Sequence, residues 1–373
     1  MKMYELFLTC PKGLEKICKK ETEGICPSKT KLHKGGISFR GSMEDIYKIN
    51  LNSRVGMVLL VKLFEFSFQD IKKFYDSVYD YKWHTVIDPK NTFSISSNII
   101  KKNSTLNNSQ FASLKIKDAI CDRLRQSKGK RPEVDKKNPQ ISIRAVIDDE
   151  KCTVYMNSSG NPLYMRGYKK NYHEASINES LASGLIFLSE WNKEKSLLDP
   201  MCGSGTIPLE ACMIKRRIPA GINRIFAFQN WLNYDQDLYR FIVKKSVELI
   251  DEECKSNIFG SDINAEYVND CKSNAQAFQF NLGLNFKLKN INSFNGGTRY
   301  HIVTNPPYEI RIGDEHQIKR IHQGLKNLLK HKSSIYLIYP EDSEFILDHY
   351  SFTQISSIYN GPIKCGFYKI NNA

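Results

Sequence analysis

The chain has 373 residues, of which 41% are hydrophobic and 25% are charged, a composition typical of a globular protein with two or three domains. Lysine and arginine outnumber aspartate and glutamate by 54 to 40, and the resulting net charge of +14 favours a polyanionic partner. No run of about 18 apolar residues is present, and the first residues lack the pattern of a secretory signal. We therefore expect no transmembrane helix, no membrane partner and a cytoplasmic location.

The ten cysteines are scattered along the chain, without a Cys-x-x-Cys pair and without the spacing to histidine that zinc sites need. A chain of this length can bury a real core without covalent cross-links. We therefore expect reduced cytosolic thiols, no disulfide framework and no metal site.

The first half of the sequence predicts an α+β region. Alternating apolar residues indicate strands, helical spacing indicates helices, and the acidic residues 148–150 join the last two strands as a hairpin. Residues 160–172, with two glycines, one proline and no clear period, are interpreted as an inter-domain linker. The predicted strands are 3–10, 35–41, 55–66, 93–99, 141–149 and 151–159, and the predicted helices are 14–22 and 43–53.

The positive charge is concentrated in this first half. Residues 1–165 carry 29 basic and 18 acidic side chains, and the excess is densest in residues 101–137. The spacing of Ile116, Ala119, Ile120 and Leu124 predicts an amphipathic helix that ends at Gly129 and presents its basic residues outward. We expect a phosphate-contacting surface there, with a merely solvated helix face as the alternative. Its candidate residues are Lys115, Lys117, Arg123, Arg125, Lys128, Lys130 and Arg131.

From about residue 175 the pattern changes to buried strands that alternate with helices. Such alternation predicts a mostly parallel sheet with helices on both faces, the α/β class. The predicted strands are 196–200, 258–263, 285–291, 300–307 and 333–340, and the predicted helices are 176–191, 206–217 and 265–278.

The first motif of this half is a glycine turn between a strand and a helix. Residues 199–206 read Asp-Pro-Met-Cys-Gly-Ser-Gly-Thr. Gly203 and Gly205 allow a tight turn with close backbone approach, and the helix that follows offers free N–H groups to an anion. The pattern lacks the third glycine of a dinucleotide motif and the lysine of a Walker A loop, so alone it is a weak signal.

The second and third motifs lie at the ends of predicted strands. Asp262 ends the strand after the glycine turn, where a carboxylate can accept hydrogen bonds from ribose hydroxyls; the alternative is an N-cap for the helix near Ala265. Residues 305–308 read Asn-Pro-Pro-Tyr. The prolines stiffen the backbone, so the Asn305 side-chain oxygen and the Pro306 carbonyl can both accept from one exocyclic amine, while Tyr308 can stack on the base.

Together these three motifs resemble those of amino-methyltransferases that use S-adenosylmethionine. The segments CPKGLEKICKKE, GGISFRGSMEDIYKINLNSRVGMVLL and NSQFASLKIKDAICDRLRQSKGKRP resemble a THUMP RNA-binding domain with its ferredoxin-like part. RRIPAGINRIFAFQNW and NGPIKCGFYKI resemble the same family. That family is the bacterial THUMP-containing guanine-N2 methyltransferases of large-subunit ribosomal RNA, the RlmL type, which older names call N6-adenine-specific DNA methylases.

The resemblance implies a Rossmann-like class I methyltransferase domain, preceded by an α+β ferredoxin-like/THUMP region. The implied division is a ferredoxin-like part (1–60), a THUMP domain (61–159), the linker (160–172) and the methyltransferase domain (173–373). S-adenosylmethionine is the implied cofactor and ribosomal RNA the implied partner, with methyl transfer to guanine N2 and no metal. Transfer RNA as substrate, adenine N6 methylation of DNA or RNA, and a catalytically silent RNA-binding assembly factor remain alternatives.

The resemblance also implies roles for single residues. Gly203 and Gly205 would lie against the methionine end of the cofactor, Asp199 would hold that loop or contact the cofactor amine, and Asp262 would bind the ribose. Where the family usually has an aspartate for the adenine amine, this chain has Asn290, with Asn292 as the alternative. Glu179 lies where the family closes over the cofactor. Asn305, Pro306 and Tyr308 would form the catalytic motif.

Overall fold

The computed structural model describes residues 2–102, 105–169, 176–294, 298–307, 315–342 and 350–371, with only the backbone for 315–319. These residues form two seven-stranded sheets with helices packed against them. The first sheet and its helices comprise β1 (Tyr4–Thr9), α1 (Glu15–Ile25), β2 (Lys31–His33), β3 (Gly36–Gly41), α2 (Met43–Asn52), β4 (Val58–Ser67), α3 (Ile71–Tyr79), β5 (Phe93–Lys101), α4 (Ser109–Lys128), β6 (Ile141–Asp148) and β7 (Lys151–Asn157).

The first sheet has the strand order β2-β3-β1-β4-β7-β6-β5. All neighbours are antiparallel except β5 and β6, which are parallel because α4 crosses between them. β4 pairs with β1 on one side and with β7 on the other. The predicted boundary between residues 60 and 61 therefore falls inside a strand that belongs to both halves of one continuous sheet, and the division into a ferredoxin-like part and a THUMP domain stays a prediction.

Local sequence signals explain these elements. The inward residues of β6 alternate with outward ones, and Ile141, Ile143, Ala145 and Ile147 are fully buried. The side chain of Ser42 caps α2 through a capping box with Asp45. The predicted helix of the basic region is present as α4, which begins after Asn108 and ends at Gly129, whose φ of 67° is left-handed.

The second sheet and its helices comprise α5 (Glu179–Leu188), β8 (Leu197–Asp199), α6 (Thr206–Lys215), α7 (Gln236–Val247), β9 (Ile258–Asp262), α8 (Ala265–Ala275), β10 (Asn285–Leu288), β11 (His301–Thr304), α9 (Glu315–Lys330), β12 (Ser334–Pro340), β13 (Phe352–Asn360) and β14 (Ile363–Ile370). The strand order is β10-β9-β8-β11-β12-β14-β13, and the first five strands in that order are parallel. This arrangement confirms the predicted α/β class.

The described part of the predicted linker, residues 160–169, is packed rather than free. The guanidinium of Arg224 donates to the carbonyls of Asn161 at 2.6 Å and Met165 at 2.7 Å. Arg166 is fully buried and forms an ion pair with Glu210 of α6. Among the described residues no helix is both long and apolar enough to cross a bilayer. The sheets are thus joined by a connector with its own polar anchors.

Candidate cofactor and substrate site

The glycine turn leads from β8 into α6. Gly203 and Gly205 have φ values of 51° and 83°, a backbone conformation that favours glycine. A Cβ at Gly205 would lie 3.0 Å from the Cys271 sulfur, so this glycine is also needed for close packing. A Cβ at Gly203 would meet no atom within 4 Å. The turn therefore leaves open space at Gly203, in front of the N-terminus of α6.

Neighbouring strands and helices hold the turn in place. The Cys202 N–H donates to the Ser261 carbonyl at 2.9 Å, beside the end of β9. From α8, the Cys271 thiol donates to the Gly203 carbonyl at 3.0 Å and the Asn274 amide donates to the Ser204 carbonyl at 3.2 Å. Sequence reasoning missed these two α8 residues. Their spacing of three on a helix is the only sequence signal that they share a face.

Asp262 ends β9 and is half-buried. One carboxylate oxygen accepts from the Gly203 N–H at 2.9 Å and the other accepts from the Asn264 N–H at 3.0 Å. The N-cap of α8 is Asn264, whose side chain accepts from the Glu266 N–H, so the alternative role predicted for Asp262 belongs to its neighbour. Each Asp262 oxygen has a second lone pair, and the carboxylate therefore retains acceptor capacity beside the open space.

Asp199 is buried at the end of β8 and connects the glycine turn to β11. One of its oxygens accepts from the Thr304 hydroxyl at 2.7 Å and from the Met201 N–H at 3.2 Å. Burial raises the pKa of Asp199 to about 7, and the nearby Asp262 charge adds to this shift, while the two hydrogen bonds oppose it. Thr304 was missed in the sequence, because a threonine at a strand end does not identify a partner 105 positions away.

The Asn-Pro-Pro segment follows β11, which lies between β8 and β12. Asn305 is half-buried and Pro306 is buried, whereas Tyr308 lies outside the described residues. Because Thr304 contacts Asp199, its neighbour Asn305 begins the segment that leaves the sheet next to the glycine turn. The structure thus brings the predicted residues Asp199, Asp262 and Asn305 to one edge, where the parallel strands end.

The two asparagines proposed for the adenine amine have different surroundings. The Asn290 side-chain oxygen accepts from the backbone N–H of Asn292 at 3.0 Å and starts a one-turn 3-10 helix. The Asn292 side-chain oxygen is buried against Gly324 of α9, and no described residue donates a hydrogen bond to it. Only the Asn290 oxygen is engaged in a local turn, and both asparagines stay candidates for the adenine amine.

Glu179 is buried at the start of α5. Its carboxylate lies 3.4 Å from the Lys169 ammonium, which is equally buried. Burial raises the pKa of Glu179, and the Lys169 charge opposes that shift. Neither carboxylate oxygen accepts a hydrogen bond from the described residues. The segment before α5 reaches the glycine turn, since the Ser176 and Ser204 hydroxyls lie 3.4 Å apart.

The basic residues of α4 point in several directions, and three of the four that were predicted to point outward are only half exposed. Each residue turns a helix by about 100°, so positions 115, 117, 123 and 125 point in four different directions. Lys117 is ion-paired with Asp118, and the half-buried Lys115 and Arg123 lie over the rings of Phe111 and Tyr79. The exposed basic residues lie at the end of the helix and beyond it: Arg125, Lys128, Lys130 and Arg131.

The fold and this site define a class of protein, a Rossmann-like domain with a ligand site at the carboxyl edge of its sheet, joined to an α+β region. Three segments match known domain families. Residues 5–57 match the RlmL ferredoxin-like domain, 68–157 the THUMP domain, and 166–359 the RMKL-like methyltransferase domain. The chain belongs to the family of RMKL-like methyltransferases, which confirms the resemblance inferred from the motifs.

Individual relatives agree with this assignment. The chain is 33% identical over 319 residues to ribosomal RNA large subunit methyltransferase K/L of Psychromonas ingrahamii, covering 83% of this chain and 42% of that protein. It is 31% identical to slr0064 of Synechocystis sp., to which an RNA methyltransferase activity is ascribed, covering 87% of this chain and 85% of that protein. The chain spans about half the length of the K/L relatives that it matches.

A solved structure shares the whole fold. SMU.472, described as a methyltransferase and crystallised with SAH, superposes with a TM-score of 0.88 at 25% identity, covering 100% of this chain and 99% of that one. The similarity therefore extends over both sheets and is not limited to the methyltransferase domain.

Proposed function

We propose that this protein transfers a methyl group from S-adenosylmethionine to the exocyclic N2 amine of a guanosine in RNA, with large-subunit ribosomal RNA as the substrate. The observation that carries the proposal is the hydrogen bond from Thr304 to Asp199, which fixes the start of the Asn305-Pro306 segment beside the glycine turn. The names of the K/L relatives and the THUMP match support RNA as the substrate class.

The residues of the glycine turn fit S-adenosylmethionine. The open space at Gly203 gives the methionine end of the cofactor room beside the free N–H groups of α6, and Asp262 keeps acceptor capacity for ribose hydroxyls. Two exposed apolar side chains, Ile263 and Leu288, stand at the ends of the adjacent strands β9 and β10 and would cover the adenine ring. The SAH complex of SMU.472 supports the same cofactor.

Further contacts to the cofactor come from the other predicted residues. Asn290 or Asn292 would accept from the adenine amine, and Gly205 lets the turn pack tightly enough to hold the cofactor. The buried carboxylate of Asp199 would attract the positive charges of the cofactor. Glu179, whose carboxylate is buried beside the Lys169 ammonium, would close the methionine end from α5.

In the proposed reaction the protein aligns the attacking nitrogen with the methyl group and polarises the target amine. The bound sulfonium supplies an activated methyl group, so the enzyme mainly has to place the attacking nitrogen in line with it. Guanine N2 is a poor nucleophile, because its lone pair is delocalised into the ring. The Asn305 side-chain oxygen and the Pro306 carbonyl would accept its two N–H bonds and localise the lone pair, while Tyr308 would stack on the base.

RNA binding would depend mainly on the first half of the chain, which holds most of the positive charge. The target base must leave its helix to reach a site at the sheet edge, so a flipped or single-stranded guanosine is expected. All ten cysteines lie among the described residues and none of them forms a disulfide, in keeping with action in the reducing cytoplasm.

The test is methyl transfer from labelled cofactor to three purified nucleic acids: deproteinised large-subunit ribosomal RNA, bulk transfer RNA and genomic DNA. Digestion to nucleosides and mass spectrometry then identify the product. We expect N2-methylguanosine in ribosomal RNA only. N6-methyladenine, or methylation of transfer RNA alone, would contradict the proposed substrate, and no transfer to any of the three would contradict the activity.

A further inference from the structure

A second feature of the carboxyl edge lies at the tip of the hairpin formed by β13 and β14. Tyr359 stands next to the turn at Asn360 and is 38% exposed. The Lys12 ammonium, from the loop after β1, lies 5.3 Å from the centre of the Tyr359 ring. We call Lys12, Tyr359 and Asn360 the hairpin-tip surface. It combines a flat aromatic ring with a cation supplied by the other sheet.

The two parts of this surface are held together by close backbone packing. The Ser356 hydroxyl donates to the Gly13 carbonyl at 3.3 Å. Gly13 has a φ of 93°, and a Cβ at this position would lie 2.1 Å from the Ser357 carbonyl oxygen. Only glycine permits such a contact, so the loop that carries Lys12 is seated on β13 in a defined position.

The pairing register places the hairpin-tip surface near the proposed active site. β13 runs in the same direction as β11 and β12, because it is antiparallel to β14, which is antiparallel to β12. Across the sheet, Tyr359 lies three strands from β11. Along the strand direction it lies about three residues beyond Asn305. This offset follows from the pairs Thr304–Leu337, Pro340–Cys365 and Tyr359–Lys364. Standard strand spacings put the two residues about 17 Å apart.

We propose that the hairpin-tip surface binds the RNA strand next to the target guanosine, with a base stacked on Tyr359 and a phosphate near Lys12. The proposal rests on the proposed RNA substrate. Charge complementarity favours RNA, since Lys12 belongs to the half of the chain that carries 29 basic and 18 acidic residues. The Tyr359 ring offers a base stacking area, and Lys12 offers a positive charge beside it. The charge of Lys364, which pairs with Tyr359 across the hairpin, is compensated by Glu341 at 2.6 Å, so Lys12 is the cation on which the proposal depends.

The test compares four variants of the whole chain, three of them at ring positions and the fourth at Lys12, in binding to a fluorescent single-stranded RNA of about ten nucleotides. Tyr359→Phe keeps the ring, whereas Tyr359→Leu keeps apolar cover but loses the flat face. Phe241→Leu is the matched control: Phe241 is an exposed ring with Lys245 at 6.0 Å, but it lies on α7, in a segment that begins and ends at the opposite edge of the sheet. Thermal melting and light scattering accompany each variant.

Tyr359→Leu should bind the RNA about 5- to 100-fold more weakly, while Tyr359→Phe and Phe241→Leu bind as the wild type does. Lys12→Gln should lower the slope of log affinity against log salt by about 0.7, as expected for one lost phosphate contact. The inference would be overturned if Tyr359→Leu and Tyr359→Phe bound equally well, or if Phe241→Leu lost as much affinity as Tyr359→Leu. A change in the oligomeric state of Tyr359→Leu would overturn it as well. A wild-type chain that binds no RNA would instead contradict the proposed function.

Discussion

At the scale of single residues, the surroundings of Asp199 decide the charge of the site near neutral pH. Asp199 is fully buried, accepts from Thr304 and Met201, and faces the charge of Asp262. Its pKa of about 7 means that the carboxyl group changes charge near neutral pH. A carboxylate in this position suits a cationic ligand, because the ligand compensates the cost of burying the negative charge.

This environment predicts how cofactor binding depends on pH. Below the pKa Asp199 is protonated, so a cationic cofactor must displace that proton; its affinity should rise up to about tenfold per pH unit between pH 5.5 and 7. Asp199→Asn should bind more weakly at pH 7 and show little of this dependence. Calorimetric titration with S-adenosylmethionine at several pH values measures both. The same slope in both proteins would show that the pH dependence has another origin, such as the ligand itself.

The raised pKa of Asp199 also determines how this group contributes to folding stability at different pH values. The pKa of Asp199 is higher in the folded chain than in the unfolded one, so the folded state holds the proton more tightly. The contribution of this group therefore favours folding at low pH and is lost as pH rises from about 4 to about 7. We expect cofactor to restore stability above that range, and Asp199→Asn, without cofactor, to lose less stability than the wild type over the same interval in denaturant titrations.

At the scale of the element, α4 shows why a basic sequence is not a basic surface. Its apolar residues pack inward, and the 100° step of the helix distributes the lysines and arginines around the remaining circumference. Lys115, Lys117 and Arg123 contact neighbouring side chains, whereas Lys128 at the last turn and the residues after it remain exposed. The end of α4 is therefore the better candidate for phosphate contacts.

Replacement of Lys128, Lys130 and Arg131 by glutamine should weaken RNA binding and lower its salt slope by about 2, or about 0.7 for each lost contact to a single strand. The double variant Lys115→Gln and Lys117→Gln is the control and should change the slope by less than one unit. Affinity measured at several salt concentrations decides the matter. An unchanged slope in the triple variant would identify this end of the helix as a solvated surface.

Particular elements show what the sequence could predict. β6 and β7 alternate cleanly, and β8, β9 and β11 are apolar runs followed by turn or cap residues, so all five were predicted near their observed positions. β13 was missed because it is an exposed edge strand with a polar sequence, FTQISSIYN, that lacks an apolar face. α7 was not assigned either, although its amphipathic sequence carries a helical period.

Part of the candidate site could also be predicted from the sequence. Gly203, Gly205, Asp262 and Asn305 could be found because each lies at or just beyond the carboxyl end of an apolar strand, where sheets of this class bind ligands. Thr304 and Asn274 act through partners that are distant in the sequence, and their contacts depend on the strand order β9-β8-β11, which no local pattern contains. The roles assigned to the site residues stay predictions until they are measured.

At the scale of the whole molecule, a buried polar network joins the two sheets. Arg54, which follows α2, donates to the carbonyls of Met213 and Ile218, and Arg166 pairs with Glu210 of α6. Glu210 also accepts from Tyr168 and Ser183. Because Arg166 and Glu210 are fully buried, each depends on the other for compensation of its charge.

Arg166→Met should therefore destabilise the protein by about 3–5 kcal/mol, since the substitution leaves the Glu210 carboxylate buried without its cation. Arg125→Met is the control; Arg125 is exposed and its ion pair with Asp122 is long at 3.5 Å, so a change below about 0.5 kcal/mol is expected. Denaturant unfolding of both variants gives the comparison. A loss for Arg166→Met of the same size as the control would mean that the network does not hold the two sheets together.

In the proposed reaction, Asn305 polarises the target amine at a site where RNA and cofactor meet. The most direct measurement is single-turnover methyl transfer by Asn305→Ala with saturating S-adenosylmethionine and deproteinised large-subunit ribosomal RNA, together with the affinity for each. We expect a rate at least about 100-fold below that of the wild type, the usual cost of losing one polarising partner, with both affinities nearly unchanged. A rate close to that of the wild type would contradict the assignment of this segment as the active site.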